Sequence, residues 1–315
     1  MIYSVRHRTT YTYEEPVTFA RCVFRLTPRS SATQTVLQST VHVTPRPLSM
    51  VKGAGPFGEQ TLTAVIDKPH RELVIEARSR VDVHAPPVGD PLDSEPWEVV
   101  HAAAYETGVL GPEGPAVFLY PTRRTPDAPA ITDYARASFS RGRPIIDAAA
   151  DLMRRMHADF VYDPEATTVS TPAVEAFKAR HGVCQDFAHI MIAGLRGLGL
   201  AAAYVSGYLR TIPPPGQPRL EGADATHAWV SVWCGEARGW IGFDPTNAVF
   251  AENDHIVLAI GRDYSDVAPI DGVILAPGVQ TLKVEVDVIP DERPPPLAGG
   301  SRTARAVGSE SAAAG

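Results

Sequence analysis

With 315 residues, 44% apolar and 21% charged, the chain has the composition of a soluble globular protein, long enough to bury a substantial core and to form two domains. A formal net charge of −7 excludes nucleic acid and anionic membrane as its main partners. The longest apolar run, Leu198 to Val205, is too short to span a bilayer. Met1 to Arg8 lacks the apolar core of a signal peptide, and the three cysteines, Cys22, Cys184 and Cys234, have no CxxC spacing. A reducing compartment, the cytoplasm, is therefore expected, with neither a disulfide frame nor a zinc site.

Residues 1–84 read as all-β. Between Glu72 and Val83, Leu73, Ile75, Ala77, Ser79, Val81 and Val83 fall on one face, and Glu72, Val74, Glu76, Arg78, Arg80 and Asp82 fall on the other. That is the period of a half-buried strand. Shorter β-rich runs at 2–13, 19–27, 34–44 and 60–67 complete a small β-sandwich. Residues 85–130 form a proline-rich linker and wrapping segment. Prolines 86, 87, 91 and 96 keep its first part extended.

The period changes from Ile131, where a second domain begins that runs to residue 289. Ile145, Ala149, Leu152, Met153, Met156 and Phe160 recur at helical spacing. A short helix over about 172–179 opens at Pro172, and a long apolar helix runs from Cys184 to about Leu198. Strands are predicted at 201–212, around His227, up to Asp244, near 255–260 and at 279–289. Pro213 to Asp224 is a Pro/Gly loop whose exit lies beside His227, and it is expected to help bind substrate. Residues 290–315 have the composition of a disordered tail.

Cys184 stands where chemistry is favoured. The first N–H groups of a helix lack partners and carry partial positive charge, which eases ionisation of a thiol and can hold an oxyanion. The competing reading of Cys184 is a small buried core residue. Thr226 to Cys234 and Gly239 to Asp244 flank a turn and form a hairpin. A turn centred on Gly235-Glu236 sets His227 opposite Asp244, with Ala228, Val230, Val232, Cys234, Ile241 and Phe243 on the other, apolar face. Asp244 can then fix the tautomer of His227 while the free ring nitrogen faces a thiol, the logic of nucleophile, base and orienter.

The blocks His181-Gly182-Val183-Cys184-Gln185-Asp186-Phe187-Ala188, Tyr204 to Leu209, Thr226-His227-Ala228-Trp229-Val230 and Asp244-Pro245-Thr246-Asn247 resemble the bacterial transglutaminase-like family of cysteine enzymes. The opening from Tyr3 to Pro16 is similar to the β domain that accompanies that core. The resemblance implies an α+β fold, with a β-sandwich followed by a papain-like, transglutaminase-like core. It also implies Cys184 as nucleophile, His227 as base, Asp244 as orienter, and acyl transfer from a peptide or protein amide through a thioester, without metal or cofactor. Relatives occur beside proteins that make or process peptides, so such proteins are expected partners.

Of the neighbouring residues, Tyr162 matches a recurrent aromatic position, either structural or a second oxyanion donor. Gln185 is a weaker oxyanion donor than the Cys184 backbone N–H, because adjacent helical side chains diverge by about 100°. Trp229, with Trp233 and Trp240, either lines an acyl-donor cleft or covers the hairpin. Asp186 serves the helix start, His189 is a buried hydrogen-bonded ring, and Cys22 and Cys234 belong to strand cores. Hydrolysis is expected over transfer to an amine. The rival readings are a transglutaminase, a catalytically silent peptide-binding module, and a metal site built from Cys184, His227 and Asp244.

Overall fold

The computed structural model describes residues 1–211, 225–275 and 278–291. The substrate-binding expectation for the 213–224 loop and the expectation of a disordered tail lie outside the described residues, apart from the tail's first two positions, 290 and 291. In chain order the strands β1 (Ile2–Val17), β2 (Phe19–Phe24), β3 (Gln34–Thr44), β4 (Ser49–Ala54), β5 (Gln60–Ile66) and β6 (His70–Val83) come first. They are followed by α1 (Trp97–Glu106), α2 (Pro129–Arg136), α3 (Ile145–Asp159), β7 (Val161–Tyr162), α4 (Ala173–Ala179), β8 (His181–Gly182) and α5 (Cys184–Gly197). The remainder is β9 (Ala202–Leu209), β10 (Ala225–Trp233), β11 (Trp240–Asp244), β12 (Val249–Phe250), β13 (His255–Gly261), α6 (Tyr264–Val267), β14 (Ile270–Leu275) and β15 (Gln280–Pro290).

The expected sandwich is present, with a correction to its membership. One sheet has the order β15-β1-β6-β3 and the other β14-β2-β5-β4. Alternation in β6 buries Leu73, Ile75 and Ala77 against Ala20, Cys22, Phe24, Ala64 and Ile66 from the facing sheet. The last two strands, assigned from sequence to the second domain, pair with the first two: β15 lies antiparallel to β1 and β14 to β2. Val286 and Val288 of β15 alternate inward and need the apolar cover that β1 offers.

The segment 85–130 is also more structured than its prolines suggest. Its first four prolines all precede Trp97, so nothing prevents a helix over 97–106, and Pro96 serves as its N-cap residue. Phe118, Leu119 and Ala128 reach into the core of the second domain.

That second domain is built on a five-stranded sheet of order β12-β11-β10-β9-β13. Helix α5 lies on it, touching β9 and β10, with α2 and α4 on its flanks. Residues 185–196 of α5 are all buried, in keeping with a helix that is apolar on nearly every side. A smaller cluster joins the two domains: Tyr3, Val5, Val81 and Val83 pack against Tyr208, Ile256 and Leu258 of β9 and β13.

Candidate active site

Cys184 is the first residue of α5, as its sequence context predicts, and is half-buried. Val183 before it is extended, so the helix starts abruptly and leaves its first N–H groups open beside the thiol. Asp186 folds back over this start. Its Oδ2 accepts the Val183 N–H at 2.9 Å and the Thr167 hydroxyl at 2.6 Å. Burial raises the Asp186 carboxyl above its ordinary range, against the lowering effect of those two bonds. Gly182 belongs to the same arrangement, since a Cβ there would stand 2.7 Å from Asp186 Oδ2. The glycine makes room for the aspartate that caps the cysteine's helix.

His227 and Asp244 come from neighbouring strands. The hairpin register differs from the expected one, because Trp233 pairs with Trp240 where the tighter turn would have paired it with Arg238. The turn holds two more residues, so Asp244 is a diagonal neighbour of His227. A shift of two leaves every side chain on its face, and the diagonal remains within side-chain reach. His227 Nε2 lies 2.8 Å from Asp244 Oδ2, and both residues are buried. The Cys184 thiol is near enough to the same imidazole to favour its charged form. Burial disfavours a charged His227, but the bonds and charges of Asp244 and Cys184 outweigh it and raise the ring's proton affinity.

Asp244 is 0% exposed and accepts five hydrogen bonds. Oδ1 takes the N–H groups of Thr246 and Asn247 at 3.0 and 3.2 Å. Oδ2 takes His227, the Asn247 amide at 2.7 Å and His255 Nε2 at 3.1 Å. Burial would raise its pKa, but the bonds from His227, His255 and Asn247 hold it well below the carboxylate range. Asn247 and His255 were not identified from the sequence. The available signal was a histidine opening the otherwise apolar strand His255–Gly261.

The remaining candidates separate. Tyr162 is exposed on β7, which runs parallel to the β8 residues leading into α5, and partial burial of its hydroxyl, then the charge of Cys184, oppose its ionisation. The Gln185 side-chain amide donates to the Val169 carbonyl at 3.0 Å, so it ties down the 163–171 segment. Trp229 is 2% exposed: its ring packs over Gly207 and Gly242, supports the rings of His227 and His255 at 6.2 and 5.1 Å, and borders a cavity of about 410 Å³. His189 is a buried ring accepting the Tyr264 N–H, and burial pulls its pKa down to about 3. Cys22 is buried in β2, and Cys234 is buried one residue past the end of β10 rather than within the strand.

The ligating atoms of His227, Asp244 and His255 lie within 4.8 Å of one another, a spacing at which a divalent ion could be considered. The hydrogen bonds argue otherwise. Three N–H donors already converge on Asp244 Oδ2, one of them an amide nitrogen with no lone pair to offer, and their protons fill the space an ion would occupy. The arrangement can instead ionise a thiol, hold its counter-charge on an imidazolium and receive an oxyanion at a helix start.

Comparison with known proteins agrees with the fold. A family model for the bacterial transglutaminase-like N-terminal region matches residues 3–82, and one for the transglutaminase-like superfamily matches residues 132–245. An uncharacterized protein of Mycobacterium tuberculosis is 41% identical over 297 residues, covering 92% of this chain and 93% of its own. One of Mycobacterium leprae is 31% identical over 289 residues, covering 90% and 97%. A crystal structure of a candidate cysteine protease from Cytophaga hutchinsonii superposes with a TM-score of 0.71 at 21% identity, covering 94% of this chain and 93% of that one.

Proposed function

The chain belongs to the transglutaminase-like superfamily, and from that premise we propose that it is a cysteine hydrolase of peptide or protein amides, with Cys184 as nucleophile, His227 as base and acid, and Asp244 as orienter. The observation that carries this reading is the buried His227 ring, held by Asp244 at 2.8 Å and near enough to the helix-start Cys184 for the thiol to favour its charged form.

The Cys184 thiolate attacks the amide carbonyl carbon, and the resulting oxyanion is received by the open N–H groups at the start of α5. The C–N bond then breaks, and the His227 imidazolium gives its proton to the leaving amine. This leaves a thioester on Cys184 and a neutral imidazole. The imidazole takes a proton from water, which attacks the thioester, and free acid leaves as the thiolate–imidazolium pair is restored.

Water is the proposed acceptor because transfer to an amine requires a site that orients the amine against competing water. Asp186, two residues beyond Cys184, commits Oδ2 to Val183 and Thr167 and is 1% exposed, so it does not present its charge to an incoming amine. The name of the Cytophaga structure agrees with a hydrolytic reading. The three free cysteines suit a reducing compartment, and we place the reaction in the cytoplasm. Among the described residues, no helix is long and apolar enough to cross a membrane.

The test is to screen candidate peptides with wild type and Cys184→Ala, then to add a fluorescent primary amine to a cleaved one. Free acid should dominate and should vanish with Cys184→Ala. Predominant amine-linked product at millimolar amine would make the protein a transglutaminase. Cleavage that survives Cys184→Ala would end the cysteine reading.

A further inference from the structure

The orienting carboxylate serves two imidazoles, and only one of them faces the thiol. His255 Nε2 stands 3.1 Å from the same Asp244 oxygen that His227 Nε2 approaches to 2.8 Å. We propose that His255 is a positioning residue of the reaction. With Nε2 protonated, it donates to Asp244, withdraws part of the carboxylate's charge, and so sets how tightly His227 holds its proton. This rests on the roles given above to Cys184, His227 and Asp244.

The tautomer follows from the acceptor. Asp244 is fully buried and held ionised, so it has no proton to give, and the nitrogen facing it must carry one. The ring is fixed in that pose from several directions. His255 opens β13, its N–H donates to the Glu252 carbonyl at 3.1 Å, and its ring meets Trp229 edge-on at 5.1 Å. Trp229 is itself confined by Gly207 and Gly242, where a Cβ would stand 2.5 Å and 3.5 Å from the indole.

The nearby charges are engaged elsewhere. Glu252 accepts the Val88 N–H, Arg238 donates to the Val88 carbonyl, and Asp254 takes the Tyr3 hydroxyl and Arg210. Arg29 and Glu113, across the roughly 410 Å³ cavity between the domains that His255 and Trp229 line, pair with each other. Asp244 and His227 are therefore the ionisable groups with which the ring interacts directly.

The sign of the effect is fixed. Each donor on Asp244 takes up some of its charge, so removing one leaves more of that charge facing His227 and stabilises the imidazolium. The imidazolium must still release its proton to the leaving amine, so a tighter hold slows turnover.

The experiment uses 15N-histidine-labelled full-length protein, with ring signals assigned through His227→Ala and His255→Phe. In wild type at neutral pH, His255 should show a protonated Nε2. The opposite tautomer overturns the proposal, and because this is read on the unaltered protein it decides even if His255→Phe fails to fold. In His255→Phe, the His227 titration should move up by about half a pH unit or more, with kcat falling about tenfold at unchanged KM. His255→Gln, whose amide can still donate, should stay close to wild type. A His227 titration unmoved by His255→Phe, or moved equally by both variants, overturns the proposal. Iodoacetamide labelling of wild type examines the underlying reading separately: a Cys184 no more reactive than Cys22 removes that reading, while the tautomer and titration results still stand for His255.

Discussion

At Cys184 a single position decides reactivity. Burial pushes the Cys22 thiol up to about 11 and the Cys234 thiol higher still, whereas Cys184 opens a helix beside an imidazole. Brief iodoacetamide treatment followed by peptide mapping should therefore label Cys184 well before the other two, and preferential labelling of Cys22 or Cys234 would contradict the assignment. Asp244→Asn should lower kcat/KM by about 10³-fold or more, because an amide presents an N–H where a carboxylate oxygen now accepts two imidazoles. A thermal melt beside the kinetics separates lost chemistry from lost fold. Cys184, His227 and Asp244 were legible because each is an unusual residue at a strong local signal: a helix start, and the two ends of a hairpin. His255 was not, because its partner stands on a strand that the sequence does not pair with its own.

Among the elements, the hairpin shows what a two-residue repeat can and cannot reveal. Alternation along β10 and β11 sorts side chains into faces correctly, and it is blind to a slip of two, which keeps every face and changes every partner. Helix α1 was missed for a simpler reason: it lies between two proline-rich stretches of one segment, and Pro96, the last proline before it, only starts the helix. Helix α5 was read to within a residue, and its start yields a test. Gly182→Ala puts a methyl group 2.7 Å from Asp186 Oδ2, so the cap must move and the Val183 N–H loses its acceptor. The expected cost is about 1 kcal/mol, seen as a lower Tm, together with slower alkylation of Cys184. An unchanged alkylation rate would mean that the cap does not hold the thiol in place.

For the molecule as a whole, the joint between the domains is where acid should act. His7 is buried between them, its Nδ1 3.0 Å from the Tyr208 hydroxyl and its Nε2 3.0 Å from the Thr9 hydroxyl. Burial lowers its pKa from 6.5 to about 4. Between those values the unfolded chain binds a proton that the folded one refuses, so stability falls as pH drops from about 6.5 towards 4. The Tm should decline over that window and decline less steeply in His7→Phe. His189, also held neutral by burial, should keep part of the slope. Equal slopes in the two proteins would clear His7. The change from period two to helical period near Ile131 falls at α2, Pro129–Arg136. The return of the last strands to the first domain was not legible in the sequence, since an alternating strand such as β15 does not name the sheet that will take it.

That return sets a timetable for synthesis. Strand β6 is complete at Val83, but β15, which hydrogen-bonds along β1 from Tyr3 to Tyr13, ends at Pro290. At ordinary translation speeds of about 5–20 residues per second, the ribosome takes roughly 10–40 s to make the intervening stretch. Throughout that interval β1 has one flank without its neighbour, and β2 waits likewise for β14. The nascent sandwich is then a half-closed clasp that needs either a chaperone or speed to escape its neighbours on the same messenger. The catalytic half is made and can collapse while the older half is still unfinished, so the first-made domain is the last to be completed.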